Sequence, residues 1–278
     1  MDLELCDDRG RGGVTPSDLP RRDATVHAQP RAEVSRFTVP AVASPVRARL
    51  AELVARFDLP REAADRFAVL LDLVAAEPAS ITSVRDPLKG VDVHIADSLV
   101  ALELDVVRSA RRIADLGSGA GFPGLALAVA LPEARIALVE SVARKCAFLE
   151  RAARALELDN VTVMPGRAES WREGLEAHDL VTARALAPLG VVLEYAAPLL
   201  ANGGTLAAWK GRLEHAEARN AAAAAKTLGM TTPQAHPAEP FTGAEARALY
   251  LSSKVRPTPP QFPRREGMAR KRPLRASS

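Results

Sequence analysis

Arg112-Ile113-Ala114-Asp115-Leu116-Gly117-Ser118-Gly119-Ala120-Gly121-Phe122-Pro123-Gly124 passes from a short apolar run into a glycine-rich turn, and from there into a helical pattern. The glycines let the chain turn sharply and leave bare main chain for a ligand to lie against. Working outward, the apolar runs Ile136–Glu140, Val161–Pro165, Leu180–Arg184 and Leu206–Lys210 alternate with helical stretches such as Val142–Leu156. Gly203-Gly204 reads as a turn before the last of these runs. Such alternation predicts a parallel sheet with helices on both faces. A polar, Ala-rich helix over 212–228 follows. A hairpin from 230 to 255 then brings the extended piece Ala248–Val255 into the sheet as a late antiparallel strand.

Upstream of the glycine turn the pattern is helical. Ser44-Pro45 is a helix-start signal with proline at the first helical position. Val46, Leu50, Leu53, Val54 and Phe57 then recur at helical spacing. A second helix runs through Phe67, Leu70, Leu71 and Val74 to Pro78, and a third is expected over 90–106. The expected domains are a disordered leader (1–43), a helical N-terminal domain (44–106), an α/β domain (107–256) and a basic C-terminal tail (257–278).

Composition narrows the class. There is no apolar run of membrane-spanning length. The acidic start (Asp2, Glu4, Asp7, Asp8) is unlike a secretory signal. Cys6 and Cys146 are too few for a disulfide framework, and no cluster has metal-ligand spacing. A cytoplasmic protein without a metal is expected, and nothing demands more than a monomer. The net charge is only +3, but residues 251–278 hold eight Lys and Arg against the single Glu266. A basic end on a mildly acidic body reads either as a polyanion-facing surface or as a solvated terminus.

Taken literally, Gly119–Gly124 satisfies G-x-G-x-x-G with Glu140 about 20 residues on, the spacing of a dinucleotide site. That match starts two residues late, because the first glycine after the strand is Gly117. Asp115 at the strand end would also repel a pyrophosphate. A cationic, amine-bearing ligand suits it better, and S-adenosylmethionine carries a sulfonium, an α-ammonium and no phosphate. Glu140 is then placed to accept hydrogen bonds from two ribose hydroxyls.

Beyond this loop, several segments in order resemble one family. Asp115–Gly124 is similar to the D-x-G-S/T-G-x-G-F/L-P-G loop of the bacterial small-subunit ribosomal RNA guanine-N7 methyltransferases, the RsmG (GidB) type. His94–Leu99 resembles that family's H-x-x-D-S-L, and Val139–Leu149 its V-D-S-x-x-K-K/R-x-x-F-L, with Glu140 where Asp is commoner. Gly166–Glu169, Thr182–Leu189, Lys210-Gly211 and Pro263–Leu274 continue the match, which spans 44 to 275. Ser80 stands where the family pattern has asparagine, and the leader has no counterpart.

The resemblance implies a Rossmann-like class I S-adenosylmethionine-dependent methyltransferase: α/β, a seven-stranded sheet with an antiparallel last strand, and a small N-terminal helical domain. It implies a donor pocket of Gly117, Phe122, Ala168, Glu169 and Arg184, completed by Asp115, Gly119, Gly121 and Glu140. The implied substrate is a guanine in the 530 loop of 16S RNA, position 527 in standard rRNA numbering, presented by the small ribosomal subunit or its precursor. Guanine N7 has an in-plane lone pair and no proton to lose, so no catalytic base or nucleophile is assigned. His94 and Asp97, three apart on one helical face, either pair and brace the pocket or touch RNA. Lys210, Arg264, Arg265, Arg270, Lys271 and Arg272 are candidate phosphate contacts. The competing readings are a methyltransferase for another substrate, a NAD-binding oxidoreductase, and a non-catalytic RNA-binding module.

Overall fold

The computed structural model describes residues 44–78 and 81–276; the leader over 1–43 and the Ser80 departure lie outside them. Helices α1 (Ser44–Arg56) and α2 (Glu62–Ala76) come first. Their apolar stripes, Val46, Leu50, Leu53 and Phe57 on one and Phe67, Leu70, Leu71 and Val74 on the other, are buried. The expected third helix is instead a broken run: α3 (Pro87–Gly90), a π turn (Val91–Ala96), α4 (Asp97–Leu99), a 3-10 turn (Val100–Glu103) and α5 (Asp105–Arg108). Asp86 caps the start, accepting from Lys89 N at 2.7 Å. The break has a local cause, since Asp97 N reaches back to Asp92 O across the wide turn and Leu104 is extended.

From residue 112 strands and helices alternate: β1 (Arg112–Leu116), α6 (Gly124–Ala130), β2 (Arg135–Glu140), α7 (Ala143–Ala155), β3 (Val161–Pro165), β4 (His178–Arg184), α8 (Leu189–Ala196) and β5 (Leu200–Lys210). Helix α9 (His215–Leu228), β6 (Gln234–Pro237), β7 (Ala248–Ser253) and α10 (Met268–Lys271) complete the order. The seven strands form one sheet in the order β3-β2-β1-β4-β5-β7-β6. All neighbours are parallel except β7, which runs antiparallel to both β5 and β6. The α/β class and the antiparallel late strand are therefore as expected. Gly203-Gly204 differs, because it lies inside β5 beside a register shift in the β4–β5 pairing rather than in a turn before the strand. Gly204 has no room for a side chain there: a Cβ would sit 2.8 Å from His178 O.

Alternate residues of each strand feed opposite cores, as a period of two requires. Ile113, Leu180 and Ala207 join α1, α2, α6 and α7; Ala114, Val181 and Ala208 join α8 and α9. Strand order reverses between β1 and β4, because β2 and β3 extend to one side of β1 and β4 and β5 to the other. The two loops leaving this switch point diverge and open a crevice at the carboxyl edge of the sheet. In register, Leu116 faces Val139 of β2 and Ala183 of β4. The residues that follow them, Gly117, Glu140 and Arg184, thus emerge together on that edge.

Asn160 ties the return from α6 to β2. Its Nδ2 lies 3.1, 3.2 and 3.0 Å from the carbonyls of Ala128, Leu131 and Ala134, so it bridges the end of α6 to the chain entering β2. Asn160→Ala removes these bonds and is expected to cost about 1–3 kcal/mol. Urea unfolding should show a lower midpoint with an unchanged slope.

Candidate active site

The glycine turn is held from behind by the chain it meets. Gly117 N and Ser118 N donate to Val139 O at 2.8 and 3.3 Å, and Gly121 N donates to Ser118 O at 2.7 Å. Gly117 and Gly121 have φ of 68° and 91°, and a Cβ on either would fall within 2.6 Å of Leu186 or Leu125. Both therefore combine a left-handed backbone with close approach, which glycine alone tolerates. Glu140 closes the turn from β2. One carboxylate oxygen accepts from Gly119 N at 3.1 Å and the other from Val142 N at 2.8 Å. The carboxylate is 95% buried yet lines the crevice, and each of its oxygens keeps a further lone pair.

The crevice is a cavity of about 310 Å3. Gly117 and Glu140 line it with Ala168 and Glu169, which a short turn after β3 presents, and with Ala185, Leu186, Tyr195, Lys145 and Arg270. Four of the nine donor-site residues expected from the sequence thus share one wall. Asp115, Gly119, Gly121, Phe122 and Arg184 do not line it. Asp115 lies under the loop, fully buried, with Oδ1 accepting from Thr182 Oγ1 at 2.8 Å and Oδ2 without a partner. Burial pushes its carboxyl above the usual range. Phe122 stacks on His94, with ring centroids 4.6 Å apart and planes 5° from parallel.

His94 and Asp97 do not pair with each other. His94 is buried, its Nε2 3.0 Å from Val84 O, and burial pushes its pKa down so that the neutral ring is favoured. Asp97 is buried too, and its Oδ2 accepts from Arg184 Nη1 at 2.9 Å. Arg184 also donates to Val93 O at 3.2 Å, and its guanidinium lies 5.6 Å from the Phe122 ring centroid. The last residue of β4 is thereby joined to the π turn.

The C-terminal segment is folded, not trailing. Arg264 grips buried Glu194 with two hydrogen bonds, at 2.6 and 2.5 Å, and Gly267 N donates to Glu169 Oε1 at 3.0 Å. Ser170 donates to Glu266 alongside. Phe262, Ala269 and Leu274 pack into the α8–α9 core. This places Arg270 on the cavity wall, donating to Leu186 O at 2.8 Å. Among the predicted phosphate contacts, Lys210 is bonded to Glu217 at 2.7 Å, whereas Arg265, Lys271 and Arg272 are exposed. Sequence reasoning missed Tyr195, Lys145 and Leu186. Tyr195, next to last in α8, carries no local signal, while Lys145 lies in the first turn of α7, five residues after Glu140, and could have been found from that position.

Residues 62–239 match the family GidB, described as rRNA small subunit methyltransferase G. The chain is 36% identical over 231 residues to the ribosomal RNA small subunit methyltransferase G of Desulfitobacterium hafniense, covering 81% of this chain and 95% of that one. It is 40% identical over 198 residues to the protein of the same name from Roseiflexus castenholzii, covering 70% and 84% respectively. Among solved structures, the S-adenosylmethionine-dependent methyltransferase SibL is similar at 14% identity and a TM-score of 0.48, over 76% of this chain and 74% of its own. With the family matched over more than half of its length and relatives aligned along most of theirs, this chain belongs to the rRNA small subunit methyltransferase G family.

Proposed function

We propose that this protein transfers the methyl group of S-adenosylmethionine to N7 of a guanine in the 530 loop of 16S RNA, position 527, within the small ribosomal subunit or its precursor. The observation that carries the donor assignment is the Glu140 carboxylate, which lines the cavity beside bare glycine main chain with lone pairs to spare. A carboxylate in that place accepts from a vicinal pair of ribose hydroxyls, a feature that nucleoside and dinucleotide ligands share, and membership of a methyltransferase family favours S-adenosylmethionine as the ligand. Family membership and the exposed basic surface favour RNA as the acceptor.

In this reading Gly117, Glu140, Ala168 and Glu169 contact the donor, while Asp115, Gly119 and Gly121 fix the loop that presents it. Phe122 and Arg184 close the acceptor side. The donor supplies an electrophilic methyl on a sulfonium. The lone pair of N7 forms the new N–C bond as the S–C bond breaks, its electron pair goes to sulfur, and the base keeps the positive charge. No proton moves, so the protein's contribution is to align the reactants and exclude water. The neutral, buried His94 then acts by packing on Phe122, with no proton transfer assigned to it.

Two outcomes follow. Label from S-adenosylmethionine should enter one guanine of 16S RNA, mapped by cleavage at N7-methylguanine. Glu140→Ala should weaken donor binding about 10- to 100-fold, since a hydrogen bond to a charged group contributes about 1.5–3 kcal/mol. Label in no ribosomal RNA despite donor binding would remove the acceptor assignment, and failure to bind the donor would remove both.

The exposed cations and Arg264 should separate in a salt titration. Replacing Arg265, Lys271 and Arg272 together by Ala should flatten the slope of log affinity for RNA against log salt by about 0.7–0.9 per lost contact. Arg264→Ala should instead lower stability by about 3–5 kcal/mol, because it leaves Glu194 buried and unpaired.

A further inference from the structure

A second cavity of about 220 Å3 adjoins the donor cavity, and Ala185 lines both. Ala185 directly follows β4 and has φ of 53°. A left-handed alanine stores strain, and residues held that way cluster at active sites and ligand clamps. The walls come from four places: Arg184 at the end of β4, Trp209 near the end of β5, Asp97 from the helical run and Arg247 just before β7. Trp209 is pinned, its Nε1 donating to Asp97 O at 2.6 Å.

Asp97 has the feature that points to a ligand. Its side chain is 95% buried, and Oδ2 is taken by Arg184. Oδ1 has no hydrogen-bond partner among the described residues, and Arg247 Nε lies 3.8 Å from it, too far for one. A buried carboxylate oxygen on a cavity wall is therefore left with acceptor capacity, beside a guanidinium that is itself half exposed. A ligand that completes this arrangement presents two adjacent donors to the carboxylate and an acceptor to the guanidinium. Guanine does so along one edge, with N1–H and the 2-amino group next to O6. Adenine offers an amino group where guanine has O6, and no donor at N1. The N1–H and 2-amino group lie away from N7, so a carboxylate that grips them leaves the nucleophilic lone pair free, and it tolerates the positive charge the base acquires. The volume suits a single base drawn out of its stack, with Trp209 as the aromatic wall.

We propose that this second cavity receives the extruded target guanine, with Asp97 Oδ1 accepting from N1–H and the 2-amino group and Arg247 donating to O6. The assignment rests on the reading of the donor cavity and acceptor given above and adds the residues that select the base.

The test is single-turnover methyl transfer into small subunits reconstituted with 16S RNA carrying guanine or inosine at the target position, since inosine lacks only the 2-amino group. The wild-type protein should favour guanine about tenfold, and Asp97→Asn should lose most of that preference. Arg247→Met, at a half-exposed position, should lower kcat/KM for the RNA about tenfold while its Kd for S-adenosylmethionine, from calorimetry, stays within twofold. Equal rates on guanine and inosine with wild type, a preference undiminished in Asp97→Asn, or an unaffected Arg247→Met would each overturn the proposal. If Asp97→Asn no longer binds the donor, Arg247→Met decides alone. Label at the target guanine without these effects removes only the base pocket; no label in any 16S RNA removes the functional reading beneath it.

Discussion

The site depends on one buried carboxylate, Glu140. Its two oxygens hold Gly119 N and Val142 N, so the loop leaving β1 and the start of α7 are tied to the end of β2. Successive N–H groups in a left-handed glycine turn have no helical partner, and without an acceptor they would be buried unsatisfied. Glu140 satisfies one of them while keeping its remaining lone pairs toward the cavity. The same atom group therefore stabilises the loop and faces the ligand, which makes the site preorganised rather than assembled on binding.

A second set of bonds crosses from the helical run to the sheet. Arg184 donates to both Asp97 and Val93 O, and Trp209 donates to Asp97 O. Those residues are about 87 to 112 positions apart in sequence. The π turn over Val91–Ala96 sets Asp97 where both β4 and β5 can reach it, and a regular helix would have moved it around the axis. Burying Asp97 is tolerable because the Arg184 guanidinium pairs with its carboxylate, while the Trp209 indole donates to its backbone carbonyl. The Glu194–Arg264 pair does the same for the C-terminal segment. It turns a stretch rich in cations into a wall of the donor cavity, where Arg270 and the Gly267–Glu169 bond lie.

Much of the architecture was legible because local patterns and global fold agree. Apolar spacing, in continuous runs for strands and at period 3.6 for helices, located β1 to β4 and α1, α2 and α9 to within a few residues, while β5 starts six residues before its run. It did so because both sheet faces are buried and each helix buries a single stripe. The helical run from 87 failed that test: His94 to Leu102 are buried without interruption, so no polar face remained there to betray the end of the π turn. Gly203-Gly204 was read by composition as a turn, whereas contact with His178 O from the neighbouring strand demands a bulge. Composition does not see a neighbouring strand.

By itself the sequence determined the sheet class, the glycine turn, the acidic residue at the end of β2 and the family. Each is written in contiguous residues whose spacing reflects backbone geometry. Only the tertiary structure decided which charges are spent and which are free. Arg264 and Lys210 are bonded within the protein, Arg265, Lys271 and Arg272 face solvent, and Asp97 pairs with Arg184 rather than His94. Charge in a sequence carries no partner. Partners are set by which ends of distant strands and helices the topology brings to one edge of the sheet, and here that edge is where β1, β4 and β5 finish.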